Sequence, residues 1–199
     1  MVEAGKVVVL NGTSSAGKTS IAREFQELRA ARRDCWIVFG IDDFIAKLPG
    51  QWIQVDAWQG PFAEDGVRLD RDGDSARFRI GEFGRRLLSG YRRSIAEIAR
   101  SGLNVVVDDV MIEHHEWGEW RAALAGLSVL WVGVRCDVEV AVRREAERGD
   151  RARGLARSQA ETVHRYPEYD LELDTTSEPA AALALRLDAF LAEADTGLG

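Results

Sequence analysis

The stretch Gly12-Thr13-Ser14-Ser15-Ala16-Gly17-Lys18-Thr19 decides the fold, because it matches the pattern GxxxxGK[ST] in full. It follows a β-branched run, Lys6 to Asn11, that predicts a buried strand. It also opens a segment, Lys18 to Ala31, whose apolar residues recur at helical spacing. A glycine-rich turn between a strand and a helix offers backbone N–H groups and the positive end of the helix dipole to an anion. The motif therefore predicts a phosphate-binding loop.

The loop and the first helical turn are the predicted nucleotide contacts. They comprise Gly12, Thr13, Ser14, Ser15, Ala16, Gly17, Lys18, Thr19 and Ser20. Lys18 is expected to bridge the β- and γ-phosphates, and the Thr19 hydroxyl is expected to ligate Mg²⁺. The sequence has no NKxD-type guanine signature, so ATP with Mg²⁺ is the expected pair of cofactors. A turn that binds nothing is the alternative, and the strand–loop–helix context disfavours it.

The remaining chain alternates strand-like and helix-like segments. Apolar runs of strand length occupy residues 35–41, 103–107, 128–134 and 171–174, and helical patterns occupy residues 82–101, 114–125, 138–148 and 179–193. This alternation predicts an α/β fold, with a parallel sheet covered by helices on both faces. We expect one domain over residues 1–199, with an acceptor-binding insertion at about 44–90 that contains a hairpin around Asp72-Gly73.

Two pairs of carboxylates follow predicted strands. Asp42 and Asp43 follow the second strand, and Asp108 and Asp109 follow the third. Parallel strands end at one edge of the sheet, where ligands bind. Phosphoryl transfer needs a magnesium ligand and a group that accepts the proton of the acceptor hydroxyl. Asp108 is predicted for the first role and Asp42 for the second. Asp43 is the alternative base, and either could cap a helix that begins near Phe44.

An arginine-rich segment at about 143–160 is predicted to be a lid. Arg144, Arg148 and Arg151 are expected to converge when this helix–loop–helix closes, which brings positive charge onto the transferring phosphoryl group and excludes water. The alternative is an exposed helix with salt-bridged Arg and Glu, and the neighbouring phosphate loop favours the lid. His164, beyond this segment, is expected to be structural, as a lone histidine usually is.

The overall charge excludes some partners. The 199-residue chain has a formal charge of -7 and a pI of about 5.1, so it has no general attraction for nucleic acid or anionic membranes. No apolar run is long enough to span a membrane, and residues 1–6 lack the apolar core of a signal peptide. We therefore expect a cytoplasmic location. Cys35 and Cys136 are expected to be buried, reduced thiols.

Five stretches together carry a resemblance to a known family. They are LNGTSSAGKTS (10–20), FGIDDFIAKLP (39–49), VVVDDV (105–110), LWVGVRCD with RREAERGDRARG (130–137, 143–154) and YDLELDTT (169–176). The chain resembles the chloramphenicol phosphotransferases, a branch of the P-loop kinases close in fold to shikimate and adenylate kinases. The resemblance implies the strand order 2-3-1-4-5 and ATP-dependent phosphorylation of an antibiotic's hydroxyl, a means of resistance. It also implies that Asp42 is the base, Lys18 the loop lysine, and Arg144, Arg148 and Arg151 the lid arginines.

The region from Gly50 to Ile80 departs from the family pattern. It carries four arginines: Arg68, Arg71, Arg77 and Arg79. If these side chains faced the pocket, they would favour an acidic acceptor. If they lay on the solvent side of a hairpin, they would not contact the acceptor. A metabolite or nucleotide-sugar kinase of the shikimate-kinase or zeta-toxin type is therefore an alternative function. A non-catalytic nucleotide-binding switch is a third reading, against which Asp42 and the cationic lid both argue. A homo-oligomer is possible.

Overall fold

A computed structural model describes residues 2–54, 62–73, 75–148 and 153–196. The strands are β1 Val7–Asn11, β2 Trp36–Gly40, β3 Ile53–Gln54, β4 Val67–Asp72, β5 Ser75–Ile80, β6 Asn104–Asp109, β7 Val129–Arg135 and β8 Leu171–Asp174. The helices are α1 Lys18–Ala30, α2 Ile41–Ile45, α3 Glu82–Arg100, α4 His114–Ala123, α5 Val138–Arg148, α6 Leu155–Ala160 and α7 Ala180–Thr196, with a short 3-10 helix at Gly50–Trp52. Arg151, one of the predicted lid arginines, and Trp58 in the insertion lie outside the described residues.

Five parallel strands form the main sheet in the order β2-β6-β1-β7-β8. Counted along the chain, this is the order 2-3-1-4-5, so the predicted α/β fold and its topology are confirmed. Val9 pairs with Val107 on one side and with Trp131 on the other. The carboxyl ends of β1, β2 and β6 therefore meet at one edge, where Asn11, Gly40 and Asp109 lie.

Both faces of the sheet are buried, which explains why its strands are almost continuously apolar. On one face, Val8 and Leu10 pack with Phe25 of α1 and Leu187 of α7. On the other face, Val7 and Val9 pack with residues of α3 and α4, among them Tyr91, Ile95 and Trp120. Each of these side chains is fully buried, so the sheet edge is a rigid platform for the loops that follow it.

The insertion builds a second, small sheet in the order β3-β4-β5. Strands β4 and β5 form the predicted hairpin, and Gly73 turns it with φ 57°, a conformation that favours glycine. Val67 and Ile80 of this hairpin pack against Ile45 of α2 and Leu88 of α3. The hairpin is thereby held beside the edge of the main sheet.

The start of α2 and the exposure of the two cysteines differ from the expectations, which are wrong on both points. Helix α2 begins at Ile41, directly after β2, rather than near Phe44. Cys35 is exposed, because β2 begins one residue later at Trp36 and Cys35 lies in the preceding connection; Cys136 is half-buried. Among the described helices, none combines the length and the apolar character needed to cross a membrane.

Candidate active site

The phosphate loop joins β1 to α1 through backbone conformations that the motif requires. Gly17 has φ 89° and Ser15 has φ 58°, both in the left-handed region. A Cβ atom at Gly12 would lie 2.5 Å from the carbonyl oxygen of Val134, so only glycine fits there. Consecutive backbone N–H groups in such turns form a concave anion site.

Three side chains that the sequence predicts at the phosphates and the metal lie together. The Lys18 Nζ atom donates to the carbonyl oxygens of Gly12 and Thr13, each at 2.9 Å, and lies 3.5 Å from Asp108 Oδ1. The Thr19 hydroxyl donates to Asp108 Oδ2. Lys18 is buried, and the loop holds its ammonium group over the turn. The predicted cation, hydroxyl and carboxylate therefore share one site.

The loop also contains polar atoms that a nucleotide could satisfy. Ser14 Oγ and Ser15 Oγ are buried and, within the described residues, have no hydrogen-bond partner. A buried hydroxyl without a partner is costly, and phosphate oxygens would supply the missing acceptors. Thr19 and Asp108 offer oxygen ligands, which Mg²⁺ prefers. The described residues contain no group of three or more His, Cys, Asp or Glu side chains that could hold a metal, so nucleotide oxygens and water would complete the shell.

A cavity of 440 Å³, here called the phosphate cavity, lies against the loop. Its walls include Lys18, Thr19, Asp42, Asp108, Arg144, Arg148 and Thr175. Arg144 donates to the carbonyl oxygen of Thr175 at 2.8 Å and to its hydroxyl at 3.2 Å. The Thr175 hydroxyl in turn donates to the Ala16 carbonyl oxygen at 2.7 Å. Arg144 is therefore tied to the phosphate loop, and Arg148 lies in the same wall.

A second cavity of 230 Å³, here called the acceptor cavity, lies under the hairpin. Asp42 lines this cavity as well as the phosphate cavity. The other walls are mostly apolar: Ile41, Ile45, Val67, Ala76, Phe78, Ile80, Val110, Ile112 and Leu155. In the sequence these apolar residues cannot be distinguished from core residues, and no local pattern marks them as a ligand pocket.

Asp43 and Asp109, which follow Asp42 and Asp108 in the sequence, line neither of the two cavities. Asp43 accepts a hydrogen bond from the Gly40 backbone N–H at 3.3 Å, as a residue in the first turn of a helix does, and lines neither cavity. Asp109 is buried behind the site, where it accepts from Val110 N–H at 2.7 Å and from the Trp120 indole. Burial raises the pKa of Asp109 to about 6. Asp42 is thus the member of its pair that faces the cavities.

Helix α6, the second half of the predicted lid, touches both the phosphate loop and the hairpin. Gln159 Oε1 accepts from Ser14 N–H at 2.7 Å, and the Ala156 carbonyl oxygen accepts from the Thr13 hydroxyl at 2.9 Å. On its other side, Ser158 Oγ donates to the carbonyl oxygen of Ala76 in β5. Sequence reasoning missed these α6 residues. Helix α6 therefore supplies part of the wall of the acceptor cavity.

Glu145 of α5 holds the start of α6 in place. Its two carboxylate oxygens accept from Gly154 N–H at 2.7 Å and from Ala156 N–H at 2.9 Å, and its side chain is buried. These N–H groups belong to the start of a helix and have no partner within it.

We expect Glu145→Ala to lower the free energy of unfolding by about 2 kcal/mol, because two N–H groups lose charged acceptors. It should also raise the KM for the acceptor, because α6 forms a wall of that cavity. Urea unfolding and initial rates check both effects. Glu24→Ala, at an exposed position on α1, is the control and should change neither. Equal behaviour of the two variants would contradict this role.

His164 lies beside the site as part of a polar cluster. Its Nδ1 atom is 2.8 Å from the Tyr169 hydroxyl, and that hydroxyl accepts a hydrogen bond from Asn11 Nδ2 at 2.7 Å. Burial lowers the pKa of His164 to about 4, and burial raises the pKa of Tyr169 to about 12. The structural role expected for His164 agrees with this packing.

The depressed pKa of His164 predicts an acid-sensitive contribution to stability. The unfolded ring binds a proton near pH 6.5, and the folded ring does so only near pH 4. Stability is therefore present above pH 6.5 and falls as the pH drops from 6.5 to 4. Solvent reaches part of the ring, so we expect about 1 kcal/mol. Urea unfolding at pH 7 and pH 5 should show a smaller loss for His164→Gln than for the native chain, whereas parallel losses would contradict the assignment.

The arginines of the Arg68–Arg79 stretch do not act together on the acceptor cavity. Arg68 and Arg79 both pair with Asp70, at 2.6 and 2.9 Å. Arg71 donates to the Arg153 carbonyl oxygen at 2.8 Å. Arg77 alone of the four lines the acceptor cavity. The stretch is therefore mainly part of the hairpin's outer surface.

Comparison with known proteins gives a family match and a set of fold relatives. Residues 5–192 match the family described as "Chloramphenicol phosphotransferase-like protein". The Mycobacterium tuberculosis protein named "Putative O-phosphotransferase Rv2636" is 36% identical over 184 residues, which cover 92% of this chain and 80% of that protein.

Solved structures with this fold include several kinases. The M. tuberculosis APS kinase CysC, in complex with AMPPNP and APS, has a TM-score of 0.63 at 16% identity, covering 95% of this chain and 98% of that one. The shikimate kinase of Acinetobacter baumannii, in complex with shikimate, has a TM-score of 0.58 at 14% identity, covering 95% and 94%. A gluconokinase from Sinorhizobium meliloti 1021 has a TM-score of 0.59 at 17% identity, covering 100% and 97%. At these identities the likeness is one of fold.

Proposed function

The chain belongs to the chloramphenicol phosphotransferase-like family, and from that premise we propose that it phosphorylates chloramphenicol or a related antibiotic on a hydroxyl group, with ATP and Mg²⁺. The chain is a phosphotransferase of the small-molecule kinase type that acts on a hydroxyl group. The proposal concerns the acceptor, the metal and the role of each residue.

The observation that carries the proposal is the position of Asp42. Its side chain lines both the phosphate cavity and the acceptor cavity, so it lies where an acceptor hydroxyl would meet a γ-phosphate. In the proposed reaction the Asp42 carboxylate takes the hydroxyl proton while the hydroxyl oxygen forms a bond to the γ-phosphorus. The bond between that phosphorus and the β–γ bridging oxygen breaks, and ADP leaves.

The cationic residues of the phosphate cavity would stabilise the charge on the transferring group. Lys18 would contact the β- and γ-phosphates, while Arg144 and Arg148 would approach from the lid side, as Arg151 would if the lid loop carries it there. Thr19 and Asp108 would hold Mg²⁺, which neutralises phosphate charge when bound. The lid helix α6, held down by Gln159 and Ser158, would exclude water that could compete with the acceptor.

The walls of the acceptor cavity favour an acceptor with an apolar body. The cavity is lined mainly by aliphatic side chains and Phe78. Two of the four hairpin arginines pair with Asp70, and Arg77, the one hairpin arginine in the wall, is accompanied there by the carboxylates of Glu113 and Glu116. An acidic acceptor such as shikimate would need free cations around its carboxylate. An uncharged aromatic antibiotic fits these walls better.

A direct screen of acceptors tests the proposal. ADP formation is followed with ATP and Mg²⁺ for chloramphenicol, shikimate and a UDP-sugar, each at the same concentration. We expect acceptor-dependent ADP formation with chloramphenicol and none above background with the other two. Faster turnover with shikimate or the UDP-sugar would replace the antibiotic by a metabolite, and ADP formation that ignores every acceptor would remove the proposal.

A further inference from the structure

Gln159 of α6 is anchored to the phosphate loop by its side chain. Its Oε1 atom accepts from the Ser14 backbone N–H at 2.7 Å and lies 3.4 Å from the Thr13 hydroxyl. A backbone N–H can bond only to the oxygen end of a side-chain amide, so this contact fixes the orientation of the amide. The NH₂ group of Gln159 is therefore the end that points away from the Ser14 N–H.

The NH₂ group of Gln159 is a donor without a partner. Gln159 is 5% exposed, and within the described residues its Nε2 atom takes part in no hydrogen bond. The Ser14 Oγ atom is likewise buried and without a partner in the part of the chain that the structure describes. Both side chains line the acceptor cavity and not the phosphate cavity. Two such donors favour a ligand group that brings oxygen acceptors to this place.

These donors lie where the two cavities meet. Ser14 lines the acceptor cavity, and the next residue, Ser15, lines the phosphate cavity. Asp42 lines both cavities. A phosphoryl group that moves from ATP to an alcohol at Asp42 would therefore pass Ser14 and the amide of Gln159.

The acceptor side of this boundary has few cations to stabilise a phosphoryl group. Lys18, Arg144 and Arg148 line the phosphate cavity and not the acceptor cavity. Among the described residues, Arg77 is the one cation in the wall of the acceptor cavity, and three carboxylates accompany it there. The oxygens of a transferring phosphoryl group carry its negative charge. Neutral donors at the boundary can stabilise that charge where the cations of the phosphate cavity no longer surround it.

Helix α6 holds the Gln159 amide in place from two sides. On the loop side, the Ala156 carbonyl oxygen accepts from the Thr13 hydroxyl at 2.9 Å. On the hairpin side, Ala76 accepts from Ser158 Oγ through its carbonyl oxygen and donates to the Gly154 carbonyl oxygen through its N–H. A donor that is already fixed needs no reorganisation when charge develops beside it, which makes it effective in a transition state.

We propose that Gln159 is a catalytic residue, whose NH₂ group donates a hydrogen bond to an oxygen of the phosphoryl group as that group crosses to the acceptor. The amide is neutral and keeps its protons, so Asp42 remains the base. The contact forms in the transition state and not with the bound nucleotide, because Gln159 lies outside the phosphate cavity. This rests on the proposed function for the direction of transfer, and it does not depend on which alcohol is the acceptor.

Calorimetric titration with ADP and Mg²⁺, with and without aluminium fluoride, tests this contact without an acceptor. Aluminium fluoride beside ADP mimics the planar phosphoryl group in transfer, whereas ADP alone represents the ground state. Gln159→Met removes the amide, and Gln159→Glu keeps an oxygen for the Ser14 N–H but has no NH₂ group. Both variants should raise the Kd for ADP with aluminium fluoride about 10- to 100-fold, the range of a hydrogen bond to a charged group. The Kd for ADP alone should stay within about threefold of the native value.

The same change at another glutamine is the control. Gln51 is exposed and lines neither cavity, so Gln51→Glu should alter neither Kd. A native Kd for ADP with aluminium fluoride in either Gln159 variant overturns the contact. An equal rise in both Kd values also overturns it, because Gln159 would then only hold the phosphate loop in shape. A failure to phosphorylate chloramphenicol would remove the proposed acceptor but would not change what this titration decides.

Discussion

Replacing Asp42 with Asn is expected to lower kcat for acceptor phosphorylation by about 10² to 10⁴-fold, the range that a positioned general base contributes. Asn has nearly the shape of Asp but cannot take the hydroxyl proton. ATP affinity should change little, because Asp42 lies in the first turn of α2, outside the phosphate loop. Single-turnover rates and calorimetric titration with ATP separate the two effects.

The matched control for this substitution is next to it in the chain. Asp43 lies in the same turn of α2 but accepts from the Gly40 N–H and lines neither cavity. Asp43→Asn should therefore keep kcat within about threefold, because surface changes away from the reacting groups have small effects. Native turnover by Asp42→Asn, or a larger loss with Asp43→Asn, would move the base to another residue.

Lys18→Ala is expected to lower kcat by a comparable factor, because it removes a positive charge from the phosphate cavity. Removing a cation aimed at a transferring phosphoryl group costs about 10² to 10³ in kcat, and ATP binding should weaken as well because the lysine contacts phosphates in the ground state. The variant also leaves the carbonyl oxygens of Gly12 and Thr13 without their donor. Steady-state kinetics and ATP titration measure the two losses.

Another lysine provides the control for Lys18→Ala. The chain contains three lysines in all: Lys6, Lys18 and Lys47. Lys47 is exposed and lines neither the phosphate cavity nor the acceptor cavity. Lys47→Ala should keep native kcat and ATP affinity. A Lys18→Ala variant that is folded and also keeps both would show that the loop does not bind the triphosphate through this residue.

The fold was predictable because its determinants are local in the sequence. The buried strands are continuously apolar, and the loop between β1 and α1 has a fixed pattern of glycine, lysine and threonine, so both can be recognised within a few residues. The strand order came from the family resemblance, since spacing does not determine which parallel strands are neighbours. The preference for Asp42 over Asp43 was already part of the sequence-based prediction. The structure adds that Asp42 lines the two cavities and Asp43 does not, because adjacent residues in a helix turn point in different directions.

The lid contacts and the cavity walls were less predictable, because they depend on long-range packing. Gln159 and Ser14 are separated by 145 positions in the chain, and no local signal connects them. The apolar lining of the acceptor cavity uses the same residue types as a core, so the sequence cannot separate the two uses. The sequence left two readings of the arginines at 68 and 79 open, as acceptor contacts or as the solvent side of a hairpin, because the contact between Arg79 and Asp70 depends on the pairing of β4 with β5.

The destination of the γ-phosphate tests the central claim most directly. The purified protein is incubated with Mg²⁺, chloramphenicol and ATP labelled with ³²P at the γ position, and the products are separated. We predict that the label moves to a hydroxyl of chloramphenicol in a one-to-one ratio with ADP, and that Asp42→Asn slows this transfer by at least about 10²-fold. Label that ends only in inorganic phosphate, or stays in ATP although the nucleotide is bound, would contradict the account.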